Sequence, residues 1–131
     1  MTAEQSPGSV RGPLEMMHEW IQLAPQGMAL IQFPQGTVVD INPILCDLMG
    51  WPMQQILGMT TRSLGIWVEP TQRDEILDRT RASPQPESFE LQVRRQCGGI
   101  VDVKIWIRST RQQHHECLIL TVAYQTAAKR T

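Results

Sequence analysis

The C-terminal half of the chain has three stretches in which apolar side chains occupy every second position. They cover residues 89–93, 101–107 and 118–122. Successive side chains of a strand point to opposite faces, so this period predicts three strands that each bury one face. Strands with a single buried face are typical of an antiparallel sheet, whereas a parallel sheet is covered on both sides.

The N-terminal half alternates between helical patterns and one pair of short strands. Apolar residues at three- and four-residue spacing predict an amphipathic helix over residues 13–24. Residues 28–33 and 37–41 flank a Pro-Gln-Gly turn and predict a hairpin. Short helices follow over residues 42–82, the first capped by Asn42. This order predicts an α+β fold with the helices on one face of the sheet.

Composition excludes several classes of protein. The 131 residues suffice for one core, and 12 basic against 13 acidic residues argue against a nucleic-acid binder. No apolar run approaches about 20 residues, so we expect no membrane contact by this segment. Three cysteines without a paired spacing fit a reducing compartment, and the expected location is cytoplasmic.

The polar residues expected near the interior include no pair suited to acid–base catalysis, so we predict no catalytic residues and a non-catalytic domain. They are Gln32, Asp40, Asn42 and Thr61. The run His-His-Glu-Cys at 114–117 groups potential metal ligands, but neighbours on an extended chain point to opposite sides. We therefore predict no metal site.

Several short motifs stand at the junctions of the predicted elements. They are Asn42-Pro43, Gly50-Trp51, Gly58, Leu64-Gly65-Ile66-Trp67 followed by Arg73, and residues 89–95 with the Gly98-Gly99 turn. In this order and spacing, over residues 23–124, they resemble a PAS domain of the sensory-box type. The chain departs from that pattern at 124–126, where Tyr-Gln-Thr stands in place of the Asp-Ile-Thr that relatives carry before an output helix.

The resemblance implies a PAS fold, with a five-stranded antiparallel sheet in the order 2-1-5-4-3 and short helices around a possible ligand cavity. It also implies a sensory input module of a bacterial signalling protein, which relays a conformational signal to a linked or partner output domain. Residues 1–12 are then a flexible lead-in, 13–24 an N-terminal helix, 25–124 the PAS domain, and 125–131 a tail toward a possible output domain.

Two cofactors of PAS relatives lack their attachment residues here. Haem-binding relatives usually take a histidine from the long helix, and residues 69–82 contain none. Light-sensing relatives carry a cysteine in Gly-x-Asn-Cys, where this chain has Thr61. We therefore predict no cofactor, neither haem nor covalent flavin. A flavin held without a covalent bond, beside Trp51 and Trp67, and a small apolar ligand both remain open.

The ligand-pocket candidates are the positions that the strand alternation and the resemblance place toward the helices. They are Leu30, Gln32, Asn42, Leu45, Thr61, Ile66, Val101, Val103, Ile105, Leu118, Leu120 and Val122. Gln32 is the polar strand position among them. Its amide either bonds the backbone of a neighbouring helix or orients the polar end of a ligand.

The opposite face of the sheet carries Trp106, which is exposed unless something covers it. The apolar stripe of the first helix is the expected cover, from the same chain or from a partner in a homodimer. The dimer-interface candidates are Leu14, Met17, Trp20, Ile21 and Trp106. The alternative function that these residues support is a ligand-free module for protein interaction and dimerisation.

Overall fold

A computed structural model describes residues 13–83, 85–112 and 115–125. The predicted lead-in, the tail beyond residue 125 and His114 lie outside the described residues. The described elements run in one order along the chain. They are α1 (Pro13–Leu23), β1 (Gly27–Gln32), β2 (Thr37–Ile41), α2 (Pro43–Met49), α3 (Met53–Ile56), α4 (Pro70–Ala82), β3 (Glu87–Arg94), β4 (Ile100–Gln112) and β5 (His115–Tyr124).

The five strands form one sheet in the order β2-β1-β5-β4-β3, with every neighbouring pair antiparallel. This confirms the predicted fold class and strand order. The pairing of β1 with β5 places Ile31 opposite Leu118, and the pairing of β4 with β5 places Ile105 opposite Val122. Apolar residues of neighbouring strands therefore meet side by side on the same face.

Local signals account for the helix that follows the hairpin. Asn42 has extended backbone and its side chain accepts a hydrogen bond from the Leu45 N–H, while Pro43 occupies the first helical position. Gly50 ends α2 with a φ of 76°, a left-handed conformation that suits glycine. The predicted cap and stop of this helix are both confirmed.

The two faces of the sheet are covered by different helices. The inner face packs against α2, α3 and α4, and it carries the larger cluster of buried apolar residues. The outer face packs against α1, whose Ile21 is buried together with Leu30 of β1 and Cys117 of β5. The N-terminal helix therefore covers part of the outer face within its own chain.

The facing of β1 differs from the prediction. Ala29 and Ile31 belong to the inner cluster, whereas Leu30 belongs to the outer cluster, and the alternation of the strand puts Gln32 on the side of Leu30. The prediction that Leu30 and Gln32 face the helices of the inner side was wrong. Because β1 is an interior strand of the sheet and is covered on both faces, it is apolar on both, and its pattern does not mark the inner one.

Candidate functional site

An apolar cavity of about 110 Å³ lies between the inner face of the sheet and the helices that cover it. All five strands contribute side chains to its wall, together with α2, α3, α4 and the segment before α4. The wall from α4 consists of Arg73, Ile76 and Leu77. The cavity thus sits where the sheet and the helical layer meet, and a change in its contents bears on both.

The volume limits what the cavity accepts in this conformation. An engineered protein cavity of roughly 150 Å³ with an apolar wall binds benzene. Pockets for drug-sized ligands measure roughly 300 Å³ or more. At about 110 Å³, this cavity suits a compact molecule of about one ring and is too small for a flavin ring system without movement of its walls.

Eight of the twelve pocket candidates line this cavity. They are Leu45, Thr61, Ile66, Val103, Ile105, Leu118, Leu120 and Val122. The strand alternation of β4 and β5 placed the last five on the inner face. That these residues bind a ligand remains a prediction.

The other four candidates lie elsewhere. Leu30 and Gln32 belong to the outer side, and Val101 packs against the inner cluster without lining the cavity. Asn42 is fully buried and makes four hydrogen bonds, each to backbone. Its oxygen accepts from Met28 N–H and Leu45 N–H, and its amide donates to the carbonyl oxygens of residues 21 and 26. Asn42 therefore connects backbone segments and does not line the cavity.

Several wall residues were missed as pocket candidates. Ala29, Ile31 and Phe33 were missed because the facing of β1 was assigned wrongly. Ile76 and Leu77 were detectable, since they are the apolar pair of a largely polar helix. Nothing local to the sequence indicated that the cavity reaches a charged side chain on α4.

A small polar group borders the cavity on one side, and we call Gly36, Thr61 and Arg73 the polar rim. The Arg73 side chain is only 13% exposed. Its Nη2 donates to the Pro34 carbonyl oxygen at 3.0 Å, which ties α4 to the β1–β2 turn. The Trp67 indole Nε1 donates to Thr61 Oγ1 at 3.0 Å. The rim is therefore held in place by bonds from two different segments.

The buried thiols are chemically quiet. Burial raises the pKa of the Cys46 thiol, and the charge of Asp47 adds to the effect. Burial likewise raises the pKa of the Cys117 thiol, with Glu116 adding to it. Because the thiolate is the reactive form, neither cysteine suits nucleophilic or redox chemistry near neutral pH. The described residues also contain no group of three or more side chains suited to hold a metal ion.

The dimer-interface candidates divide on the outer face. Met17 and Ile21 pack against the sheet, whereas Trp20 is 59% exposed. Trp106 is 38% exposed, and the Lys104 ammonium lies 5.2 Å from the centroid of its ring. The side chain of Leu14 lies outside the described part of the chain. Helix α1 therefore leaves large aromatic surface uncovered on this side.

A polar cluster around Asp40 fixes α1 to the edge of the sheet. His18 Nδ1 lies 2.7 Å from Asp40 Oδ2, and Gln22 Nε2 donates to Asp40 Oδ1 at 3.3 Å. The same Gln22 nitrogen donates to the Ile41 carbonyl oxygen at 2.9 Å. We call these three residues, His18, Gln22 and Asp40, the Asp40 cluster. The cluster supplies hydrogen-bond partners to the carboxylate of Asp40, which is buried on β2.

A family model described as the PAS fold matches residues 15–123. The chain belongs to the PAS family. PAS domains are generally sensory modules without catalytic activity. No curated protein sequence matches it. None of the helices that the structure describes is long and apolar enough to cross a membrane.

Solved structures show the same fold at low sequence identity. The PAS domain of a two-component sensor histidine kinase has a TM-score of 0.69 at 18% identity, over 86% of this chain and 96% of that one. A LOV protein of Rhodobacter sphaeroides has a TM-score of 0.72 at 15% identity, over 87% and 68%. The PAS domain of Bordetella pertussis BvgS has a TM-score of 0.61 at 16% identity, over 89% of each.

Proposed function

We propose that this PAS domain is the sensory input module of a bacterial signal-transduction protein, that it binds a small apolar molecule in its cavity, and that it relays the binding to an output domain. The observation that carries this proposal is the apolar cavity of about 110 Å³ between sheet and helices. A void of this size forgoes packing contacts, and an apolar ligand restores them.

Strand β5 is the route by which the signal leaves the cavity. Leu118, Leu120 and Val122 line the cavity, and the strand ends at Tyr124, immediately before the predicted tail. A ligand acts through its difference in affinity for two arrangements of these walls. We propose that the arrangement of β5 and its C-terminal end is what the output domain reads.

The test uses the full chain, freshly purified, in two measurements. Native mass spectrometry reports any retained ligand and the oligomeric state together. Thermal unfolding with toluene and indole as probes reports occupation of an empty cavity. We expect a rise in the unfolding temperature that grows with probe concentration. An unchanged unfolding temperature with every probe, together with a mass that shows no ligand, contradicts the proposal.

The second candidate function is a ligand-free module for protein interaction and homodimerisation in the cytoplasm. The exposed indoles of Trp20 and Trp106 on the outer face favour it. Light scattering discriminates the two functions, because the interaction module requires a dimer or a complex whereas the sensor does not. A monomer mass over all practical concentrations contradicts the dimer.

We also propose that the purified domain is colourless. The structural similarity to the LOV protein of Rhodobacter sphaeroides raises the question of a bound flavin. The cavity is small, however, and Thr61 stands where light-sensing relatives carry cysteine. An absorption spectrum tests this directly. A band near about 400 nm for haem, or near about 450 nm for flavin, contradicts it, since both colours come from the cofactor itself.

A further inference from the structure

The wall of the cavity presents apolar atoms almost exclusively. Most of its side chains are isoleucine, leucine and valine, among them Ile31, Val103 and Leu118 on three neighbouring strands. Essentially no polar atom of the described residues is exposed to the enclosed space. A hydroxyl, amino or carboxylate group of a ligand therefore meets no hydrogen-bond partner on this wall.

The backbone behind the wall is engaged within the sheet. Strands β1, β5 and β4 each have a neighbour on both sides, so their N–H and C=O groups bond to other strands. These bonds lie in the plane of the sheet, whereas the cavity lies over its inner face. The sheet thus turns only side chains toward a ligand.

The polar side chains at the border of the cavity bond to other parts of the protein. Thr61 Oγ1 accepts from the Trp67 indole, and Arg73 Nη2 donates to the Pro34 carbonyl oxygen. Within the part of the chain that the structure describes, the buried side-chain polar atoms without a partner lie elsewhere. They are Trp51 Nε1, Thr80 Oγ1 and Arg95 Nε. None of these three residues lines the cavity, so no orphaned side-chain donor or acceptor of the described residues waits there for a ligand.

Water is a poor substitute for the missing partners. A water molecule inside a protein needs two to four polar neighbours, and an apolar cavity of roughly 150 Å³ stays dry. We therefore expect this cavity of about 110 Å³ to hold no water that could bridge to a ligand. A polar group carried into it loses its hydration and regains no hydrogen bond.

We propose that the cavity selects a compact hydrocarbon and rejects molecules of the same shape that carry a hydrogen-bonding or charged group. This inference rests on the proposed function, because it narrows the class of ligand for that same site. Selectivity comes from the cost of an unpartnered polar group and needs no specific contact. The volume limits the hydrocarbon to about one ring.

The experiment compares three probes of nearly equal shape on the full chain by titration calorimetry. Toluene carries a methyl group where phenol carries a hydroxyl and aniline an amino group. We expect toluene to bind about tenfold or more tightly than either polar probe. A ratio smaller than about tenfold means that the polar group finds a partner or reaches solvent, and it overturns the proposal.

One substitution supplies the partner that the wall lacks. Val103→Thr keeps the shape of a fully buried wall residue and adds a hydroxyl, so it should lower the ratio of toluene to phenol affinity about threefold or more. Val101→Thr is the matched control, since Val101 lies two residues earlier on the same strand and packs against the inner cluster without lining the cavity. Val122→Thr, at another wall position, serves if Val103→Thr does not fold.

Failure of this inference and failure of the proposed function give different results. If phenol or aniline binds as well as toluene, the cavity does not reject polar groups, and a sensor of small molecules still stands. If Val103→Thr and Val122→Thr leave the ratio unchanged, or Val101→Thr lowers it equally, the selectivity does not arise at this wall and the inference is wrong. If none of the three probes binds, the ligand-binding function fails and this inference fails with it.

Discussion

The two faces of the sheet are held to their helices by different kinds of contact. On the inner face, α2, α3 and α4 pack through apolar side chains and leave a cavity of about 110 Å³. On the outer face, α1 buries a small apolar cluster and depends on the polar Asp40 cluster at the sheet edge. The difference indicates that the inner face has room for a ligand, whereas the cover of the outer face is held by a small apolar cluster and a few polar contacts.

Asn42 connects the two faces. Its side chain bonds the backbone of α1 at residue 21, of the following loop at residue 26, of β1 at Met28 and of α2 at Leu45. An amide is suited to this position because it both accepts and donates. Asn42 therefore links α2 on the inner side to the end of α1 on the outer side through hydrogen bonds of one side chain.

The largest effect is expected from Asn42→Ala, which removes hydrogen bonds to the helices on both faces of the sheet. The change removes the cap of α2 and takes one hydrogen-bond partner from the Ile21 carbonyl oxygen, the Gln26 carbonyl oxygen and the Met28 N–H. We expect the free energy of unfolding to fall by about 4 kcal/mol, measured by urea denaturation. Asp47→Ala on the exposed side of the same helix is the control, with a change within about 0.5 kcal/mol. If the free energy of unfolding falls by less than about 1 kcal/mol in Asn42→Ala, the connecting role of Asn42 is contradicted.

A matched pair of substitutions sharpens the comparison of the faces. Leu118→Ala and Leu30→Ala remove the same atoms from equally buried positions on neighbouring strands, one facing the cavity and one facing α1. Each should lower the free energy of unfolding by about 2–5 kcal/mol. Toluene should raise the unfolding temperature more in Leu118→Ala than in the unchanged chain, because the cavity is larger. Leu30→Ala should gain no such extra shift, and equal gains in both variants contradict the assignment of the faces.

How far the sequence predicts this molecule differs between its elements. Asn42, Pro43 and Gly50 are local signals, and they predicted α2 with its cap and its end. The alternation over β3, β4 and β5 predicted the sheet and the facing of residues such as Val103 and Leu118, although β5 is also buried on the outer face at Cys117. Such signals involve residues that are close in the sequence, and the folded structure retains the local conformations that they predict.

The remaining features depend on contacts between distant segments. Leu30 and Ile31 are both apolar and both buried, one under α1 and one in the cavity, so their pattern alone does not assign the faces. The polar rim joins residues 36, 61 and 73, and the Asp40 cluster joins α1 to β2. No periodicity marks residues that meet only after the chain has folded.

A smaller effect is expected where the outer cover depends on polar contacts. Asp40→Ala removes the hydrogen bonds of His18 and Gln22 to the carboxylate, and we expect a loss of about 2 kcal/mol. The cover over Cys117 should loosen, while Cys46 on the inner side should stay protected. The rate of labelling by a thiol reagent tests this, with each cysteine identified by mass spectrometry after digestion.

The thiol chemistry sets the baseline for that labelling. Burial raises the pKa of both Cys46 and Cys117, so in the unchanged chain both should react slowly at neutral pH, and faster as the pH rises toward their pKa values. Cys97 is exposed and serves as the internal reference. If Asp40→Ala accelerates Cys46 as much as Cys117, the whole domain has loosened and the separate behaviour of the outer cover is disproved.

The smallest effect on stability is expected at Trp106, and it decides whether the exposed part of the outer face is an interface. Because this side chain is 38% exposed, Trp106→Ser should change the free energy of unfolding by only about 1 kcal/mol or less. A dimer that buries the indole should dissociate, since buried aromatic anchors contribute strongly to interfaces. Light scattering over a concentration series should therefore show the unchanged chain shifting toward dimer and Trp106→Ser remaining monomeric.

Arg108→Ser, on the same face of β4, is the control and should leave the dimer intact, since an exposed charge at a rim contributes little. Equal dimerisation of the two variants would place the interface elsewhere, and the exposed aromatic surface would then not be what the partner covers.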